Sequence, residues 1–202
     1  MRDTYTTINS ESYGDYRERG SKFISSLFPC DSETALKAKI EAMKKEHSSA
    51  RHFCFGAIIG FPDSLNISSD SGEPSGTAGA PILNQLLSSG LVNAAIVIVR
   101  HYGGTKLGKA GLINAYKQSA RLAIENCSVV TQVICNQLTI DYRYEDTSEV
   151  MRLVDGIARS KIIDQSFLER CTMRLEVPKS LTSNALLLFE HMPHVTVNLE
   201  EN

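Results

Sequence analysis

The sequence predicts an α+β protein of two domains, and three observations carry that expectation. Short apolar runs of strand length alternate with stretches in which apolar residues recur every three or four positions, and too few strands are present for a large parallel sheet. A complete strand-helix-strand-strand-helix-strand order restarts near residue 131, which is the order of a ferredoxin-like domain. The length of 202 residues suffices for two domains with cores of their own. The boundary is placed within residues 128–132, giving domains 1–130 and 131–202.

The first domain reads as few strands and three helices. Residues 1–20 are polar and punctuated by Gly14 and Gly20, so no element is assigned there. Residues 21–28, with Phe23, Leu27 and Phe28, form a strand that ends at Pro29. Asp31 suits the cap of a helix through residue 46, with Leu36, Ile40 and Met43 on one face. Residues 51–60 alternate, which places Phe53, Phe55, Ala57 and Ile59 on one side of a strand and His52 and Cys54 on the other. Residues 61–77 are dense in Pro, Gly, Ser and Asp and read as one long loop, of a length that suggests function or mobility. Thr77 is the expected cap of a helix over residues 78–87, which Gly90 stops. The run 94–99, AAIVIV, is a buried strand, and a helix carrying Leu112, Ile113, Tyr116, Ala120 and Ala123 follows it.

In the second domain, residues 131–141 read as a strand and 146–157 as a helix with Val150, Met151, Val154 and Ile157. Residues 161–168 and 171–177 form a hairpin. Pro178 opens a helix through residue 190, and Val195, Val197 and Leu199 mark a closing strand.

Between the buried strand and the long helix lies a cationic glycine turn, which organises the functional reading. Arg100, His101 and Tyr102 end the strand, Gly103 and Gly104 permit unusual backbone angles, and Lys106, Gly108 and Lys109 open the helix. Backbone N–H groups at such a helix start suit anions. The net charge is only −2, yet no Asp or Glu occurs between Glu73 and Glu125, a gap that contains Arg100, Lys106, Lys109, Lys117 and Arg121. A local basic surface on a mildly acidic protein is the footprint of a polyanion site, although an ordinary solvated face has the same composition.

Gly103 to Lys109 satisfies the Walker A spacing except at its last position, where Ala110 replaces the metal-binding hydroxyl, and no partner Asp follows an apolar run in the same domain. A triphosphatase is therefore not expected. His52 and Cys54 share a strand face, and His101 or Cys30 is a candidate to join them, but the paired spacing of zinc sites is missing, so no metal and no cofactor is expected. Asp70, Glu73, Ser75 and Thr77 offer acid, base or nucleophile, and are equally the composition of a turn that ends in a helix cap. The five scattered cysteines fit reduced thiols in the cytoplasm. No run reaches the length of a membrane span, and no secretory leader is read.

Four segments then point to a family: GSKFI at 20–24, RHFC at 51–54, SDSGEPSGTAG at 69–79 and VRHYGGTKLG at 99–108. In this order and over about residues 20–125 the chain resembles the IMPACT family. The resemblance implies an N-terminal domain with a left-handed βαβ unit, as in a ribosomal-protein domain, followed by a ferredoxin-like domain. The pair is similar to domains four and five of elongation factor G. The implied role is association with RNA or the ribosome and regulation of translation. Three positions depart from the family pattern: Ser71 replaces a usual Asp, His101 a usual aromatic residue and Ala110 a usual glycine. The first weakens an acidic-site reading, and the other two leave a phosphate cradle in place.

The expected function is accordingly a non-catalytic one, RNA or ribosome binding through phosphate. Arg100, Lys106 and Lys109 contact phosphates, with the backbone of Gly103, Gly104 and Gly108 between them. Tyr102 and His101 stack on a base, and Lys117 and Arg121 extend the patch. The alternative is a small-molecule or phosphate-ester enzyme with its site between the 70–77 loop and the 100–109 turn, using Asp70, Glu73 and Thr77.

Overall fold

The computed structural model describes residues 3–200. By compactness the chain divides into one unit of residues 5–132 and another of residues 133–200 joined by residues 3–4. The first unit holds β1 (Thr4–Ile8), β2 (Ser12–Glu18), β3 (Ser21–Pro29), α1 (Glu33–Glu46), β4 (His52–Ile59), β5 (Leu65–Ser69), α2 (Gly79–Ser89), β6 (Ala94–His101), α3 (Gly108–Glu125) and β7 (Val129–Val133). Five of its strands form a sheet in the order β2-β3-β6-β4-β5, and β1 pairs with β7 as a separate ribbon. Every pairing in the five-stranded sheet is antiparallel. β3 and β4 therefore run parallel to each other on either side of β6, joined through α1.

The two-residue period of the strands separates two cores. Phe23, Leu27, Cys54, Ile58, Ile96 and Ile98 point to the face covered by α2 and α3, where Ile82, Leu86, Leu112 and Tyr116 meet them. Phe53, Ala57, Ala95, Val97 and Val99 point to the opposite face and pack on Leu36 and Met43 of α1. β6 is central and buried on both sides, which is why its sequence shows no polar alternation.

Three local expectations change in this unit. Two strands occupy the polar stretch 1–20. β2 buries Ser12 and Gly14 instead of large apolar groups, because α3 approaches very closely. Ser12 Oγ donates to the Ala123 carbonyl at 2.8 Å and Ser25 Oγ to the Ser119 carbonyl at 2.7 Å. A Cβ on Gly14 would lie 2.8 Å from the Ser119 oxygen. β5 forms inside the stretch read as a loop, as an exposed edge strand whose backbone pairing with β4 does not depend on apolar alternation. The cap of α1 is Ser32, whose hydroxyl accepts from Ala35 N–H at 3.3 Å, one residue beyond Asp31.

The second unit holds β8 (Cys135–Tyr142), α4 (Thr147–Asp155), β9 (Lys161–Phe167), β10 (Cys171–Pro178), α5 (Thr182–Phe189) and β11 (Thr196–Glu200). The single strand expected over 131–141 is broken at Ile134 into the end of β7 and β8. The sheet order is β11-β8-β10-β9, all antiparallel, the arrangement of a ferredoxin-like fold. Leu138, Ile140, Met173, Leu175 and Val177 face Val150, Val154, Ala185 and Phe189 of the two helices. Among the described residues no helix is long and apolar enough to cross a membrane.

Candidate anion-binding site

In the first unit, the C-terminal end of β6 opens onto a concave cavity of about 1060 Å³. Its walls come from β4 and the residues before it (Arg51, His52), the loop before α2 (Glu73, Pro74), and the turn and first residues of α3 (Tyr102, Lys106, Lys109). Arg100 lies between Phe23 and His52 in the strand register, so all three side chains share the face that α2 and α3 cover.

That placement buries Arg100. Its side chain is only 7% exposed, and Nη1 donates to Glu73 Oε1 at 2.7 Å. The acid-free stretch of sequence is therefore not acid-free in space, because Glu73 closes on Arg100 from a different loop. Tyr116 Oη donates to the same Glu73 oxygen at 2.8 Å. Cys54 Sγ lies 3.3 Å from Tyr116 Oη and 3.0 Å from the Asp70 carbonyl. Burial pushes the Cys54 thiol up to about 12, against a partly offsetting contact from Tyr116. Burial, then the neighbouring Cys54 and Glu73, raises the Tyr116 hydroxyl, which keeps it a proton donor. The guanidinium carbon sits 5.5 Å from the ring centres of both Phe23 and Tyr102. Among the described residues Nε of Arg100 has no hydrogen-bond partner.

The loop before α2 divides its candidates by role. Asp70 is structural. Its Oδ1 accepts from the N–H groups of Ala78 and Gly79, both at 2.9 Å, and its Oδ2 from Gly76 N–H at 2.8 Å. Burial raises its carboxyl, but these N–H groups outweigh burial and hold it below the usual range. Asp70 thus caps α2 from nine residues away, and Thr77 does not. Thr77 Oγ1 donates instead to the Pro74 carbonyl at 2.6 Å, and its side chain is buried away from the cavity lining. Only Glu73 of these three faces the cavity.

Glycines set the path of the turn. A Cβ on Gly103 would lie 1.9 Å from the carbonyl carbon of Gly20, so the two backbones could not touch as they do. Gly104 and Gly108 have φ of 86° and 70°, the left-handed region open to glycine. The turn delivers α3 with no side-chain cap and no acidic residue in its first turn. Lys106 and Lys109 are exposed at the cavity mouth, and Tyr102 is 58% exposed, which makes it a surface ring and not a core one. His101 points to the other face of β6, where its ring meets His47 edge-on at 5.5 Å. Burial, then His47 and Lys22, lowers its pKa. Lys117 and Arg121 are exposed further along α3 and do not line the cavity, and Arg121 pairs with Glu125 at 3.5 Å.

The sequence did not mark His52 and Arg51 as lining this cavity, or Tyr116 as the hydrogen-bond donor behind its Glu73. His52 Nδ1 lies 3.0 Å from the Ser71 carbonyl, which leaves Nε2 as its remaining polar atom. The usable signal was Glu73, the last carboxylate before the gap. Cys54 and His52 do share a face, but no group of three or more His, Cys, Asp or Glu converges among the described residues. Because β6 is antiparallel to both neighbours, the turn is not the phosphate loop of a parallel nucleotide-binding sheet.

The family model for the Impact N-terminal domain matches residues 19–124, which contain every residue of this cavity. The chain belongs to the IMPACT family. It is 35% identical over 160 residues to IMPACT family member YigZ of Escherichia coli, covering 78% of each chain. It is 36% identical over 149 residues to an IMPACT family member of Haemophilus influenzae, covering 73% of this chain and 72% of that one. A crystal structure described as that of a hypothetical protein matches with a TM-score of 0.74 and 28% identity over 100% of both chains. The α+β architecture is thus shared along the full length.

Proposed function

We propose that this IMPACT family member binds RNA through its phosphates without catalysing a reaction on it, and that it does so on the ribosome or in the regulation of translation. The observation that carries this reading is the convergence of Arg51, Arg100, Lys106 and Lys109 on one concave surface whose single carboxylate among the described residues, Glu73, is already tied to Arg100. An uncapped helix start adds N–H donors beside Lys109. Exposed Tyr102 supplies a plane on which an unstacked base can lie. A catalytic use of the 70–77 loop has less support, since Asp70 and Thr77 are occupied in holding the loop. The five free cysteines fit the reducing cytoplasm as its place.

The test is a salt titration of binding to single-stranded ribosomal RNA segments. Lys106→Ala with Lys109→Ala should weaken binding to all sequences and flatten the log–log salt slope by roughly 1.4, about 0.7 for each lost phosphate contact. Both lysines are exposed, so folding should be unchanged. Equal affinities and equal slopes would remove the turn from RNA binding and favour a small-molecule site.

A further inference from the structure

We infer that the cavity receives a terminal phosphomonoester, the phosphorylated end of an RNA strand or of a free nucleotide, and that Arg100 distinguishes such an end from an internal phosphodiester. The inference rests on the phosphate-binding reading above and names the form of phosphate.

Depth is the first argument. Arg100 is the floor of the cavity, 7% exposed on the central strand, whereas Lys106, Lys109 and Tyr102 are exposed at its mouth. An internal phosphodiester carries the chain on two sides, so bringing it to a floor residue would bury two sugars. A terminal monoester enters end-first, with three free oxygens and a charge of about −1.5 to −2 at neutral pH.

Unmet hydrogen-bonding capacity is the second. Nη1 of Arg100 is committed to Glu73, but Nε is buried without a partner among the described residues. A buried charged donor left unpaired is unfavourable, and an anionic oxygen would relieve it. This observation is independent of the helix start, whose first turn also lacks any side-chain cap or carboxylate. Both converge on the same lining, which contains Arg100, Gly108 and Lys109. Glu73 holds Nη1 of the guanidinium and offsets part of its charge. The ring centre of exposed Tyr102 lies 5.5 Å from the guanidinium carbon.

The experiment uses the full chain and one short single-stranded RNA in three forms: a 5′-phosphate, a 3′-phosphate, and hydroxyls at both ends. Adenosine monophosphate and adenosine serve as competitors. At least one phosphorylated form should bind about tenfold more tightly than the hydroxyl form, the gain of one charge-assisted contact. Adenosine monophosphate should compete where adenosine does not. Arg100→Lys retains a cation for Glu73 but loses the Nε donor, and it should reduce the end preference to less than about threefold. If that variant is unfolded by circular dichroism, the wild-type comparison and the competitor pair decide alone. RNA binding with no end preference overturns this inference and leaves the RNA reading standing. Binding of adenosine monophosphate without RNA binding does the reverse. An end preference retained in folded Arg100→Lys removes Arg100 from the recognition, and no binding of any probe overturns both readings.

Discussion

Arg100 and Glu73 are 27 residues apart in sequence, yet their side chains meet at 2.7 Å with only 7% and 4% of each exposed. The pair joins the central strand to the loop before α2, and Tyr116 of α3 donates to the same carboxylate. One buried ion pair therefore ties together three of the elements around the cavity.

Breaking that pair should unfold part of the site. Glu73→Ala leaves a buried guanidinium unpaired and should cost about 3–5 kcal/mol of stability. Adding Arg100→Met to it should recover a substantial part, because the uncompensated charge is then gone. Urea denaturation of the two variants measures this, and a double variant less stable than Glu73→Ala would show that the charge is not what the carboxylate compensates.

Neighbouring glycines should respond differently to the same methyl group. Gly103→Ala places a Cβ 1.9 Å from backbone and should cost about 3 kcal/mol, at the upper end of overpacking penalties. Gly104→Ala meets nothing within 4 Å and suffers only its left-handed φ of 86°, which costs about 1 kcal/mol. Thermal unfolding of the two variants ranks them, and equal losses would mean that the Gly20–Gly103 contact gives way.

Asp70 makes the first unit acid-sensitive in a defined direction. Its carboxyl is held below its ordinary value in the folded state, so its contribution is complete above the unfolded pKa and disappears as pH falls through the folded one. Asp70→Ala should lose about 1 kcal/mol at neutral pH, as other helix-cap deletions do, and should show a shallower decline in stability toward acid. Denaturant midpoints measured from pH 7 down to pH 3 check both. A parallel offset at every pH would assign the acid sensitivity to other carboxylates.

The two compact units should be separable. A fragment of residues 5–132 contains both cores of the five-stranded sheet and should unfold in a single cooperative transition. Aggregation of that fragment, with the full chain remaining dispersed, would count against separability.

The sequence alone determined the elements whose burial is large and periodic. β6 could be read from AAIVIV, α3 from the spacing of Leu112, Tyr116, Ala120 and Ala123, and the second unit from its strand and helix order, because apolar burial writes its period into the chain. Four short segments, three of them glycine-bearing, likewise marked the family. Tertiary structure decided what depends on distance between segments. β2 was invisible because serine and glycine, not large apolar groups, let α3 approach it. Asp70 looked like a candidate acid until its carboxylate met N–H groups up to nine residues away. Arg100 stands in a stretch of sequence with no acidic residue, whereas the fold brings Glu73 against it and buries both. Charge pairing is set by proximity in space, and a sequence records only proximity along the chain.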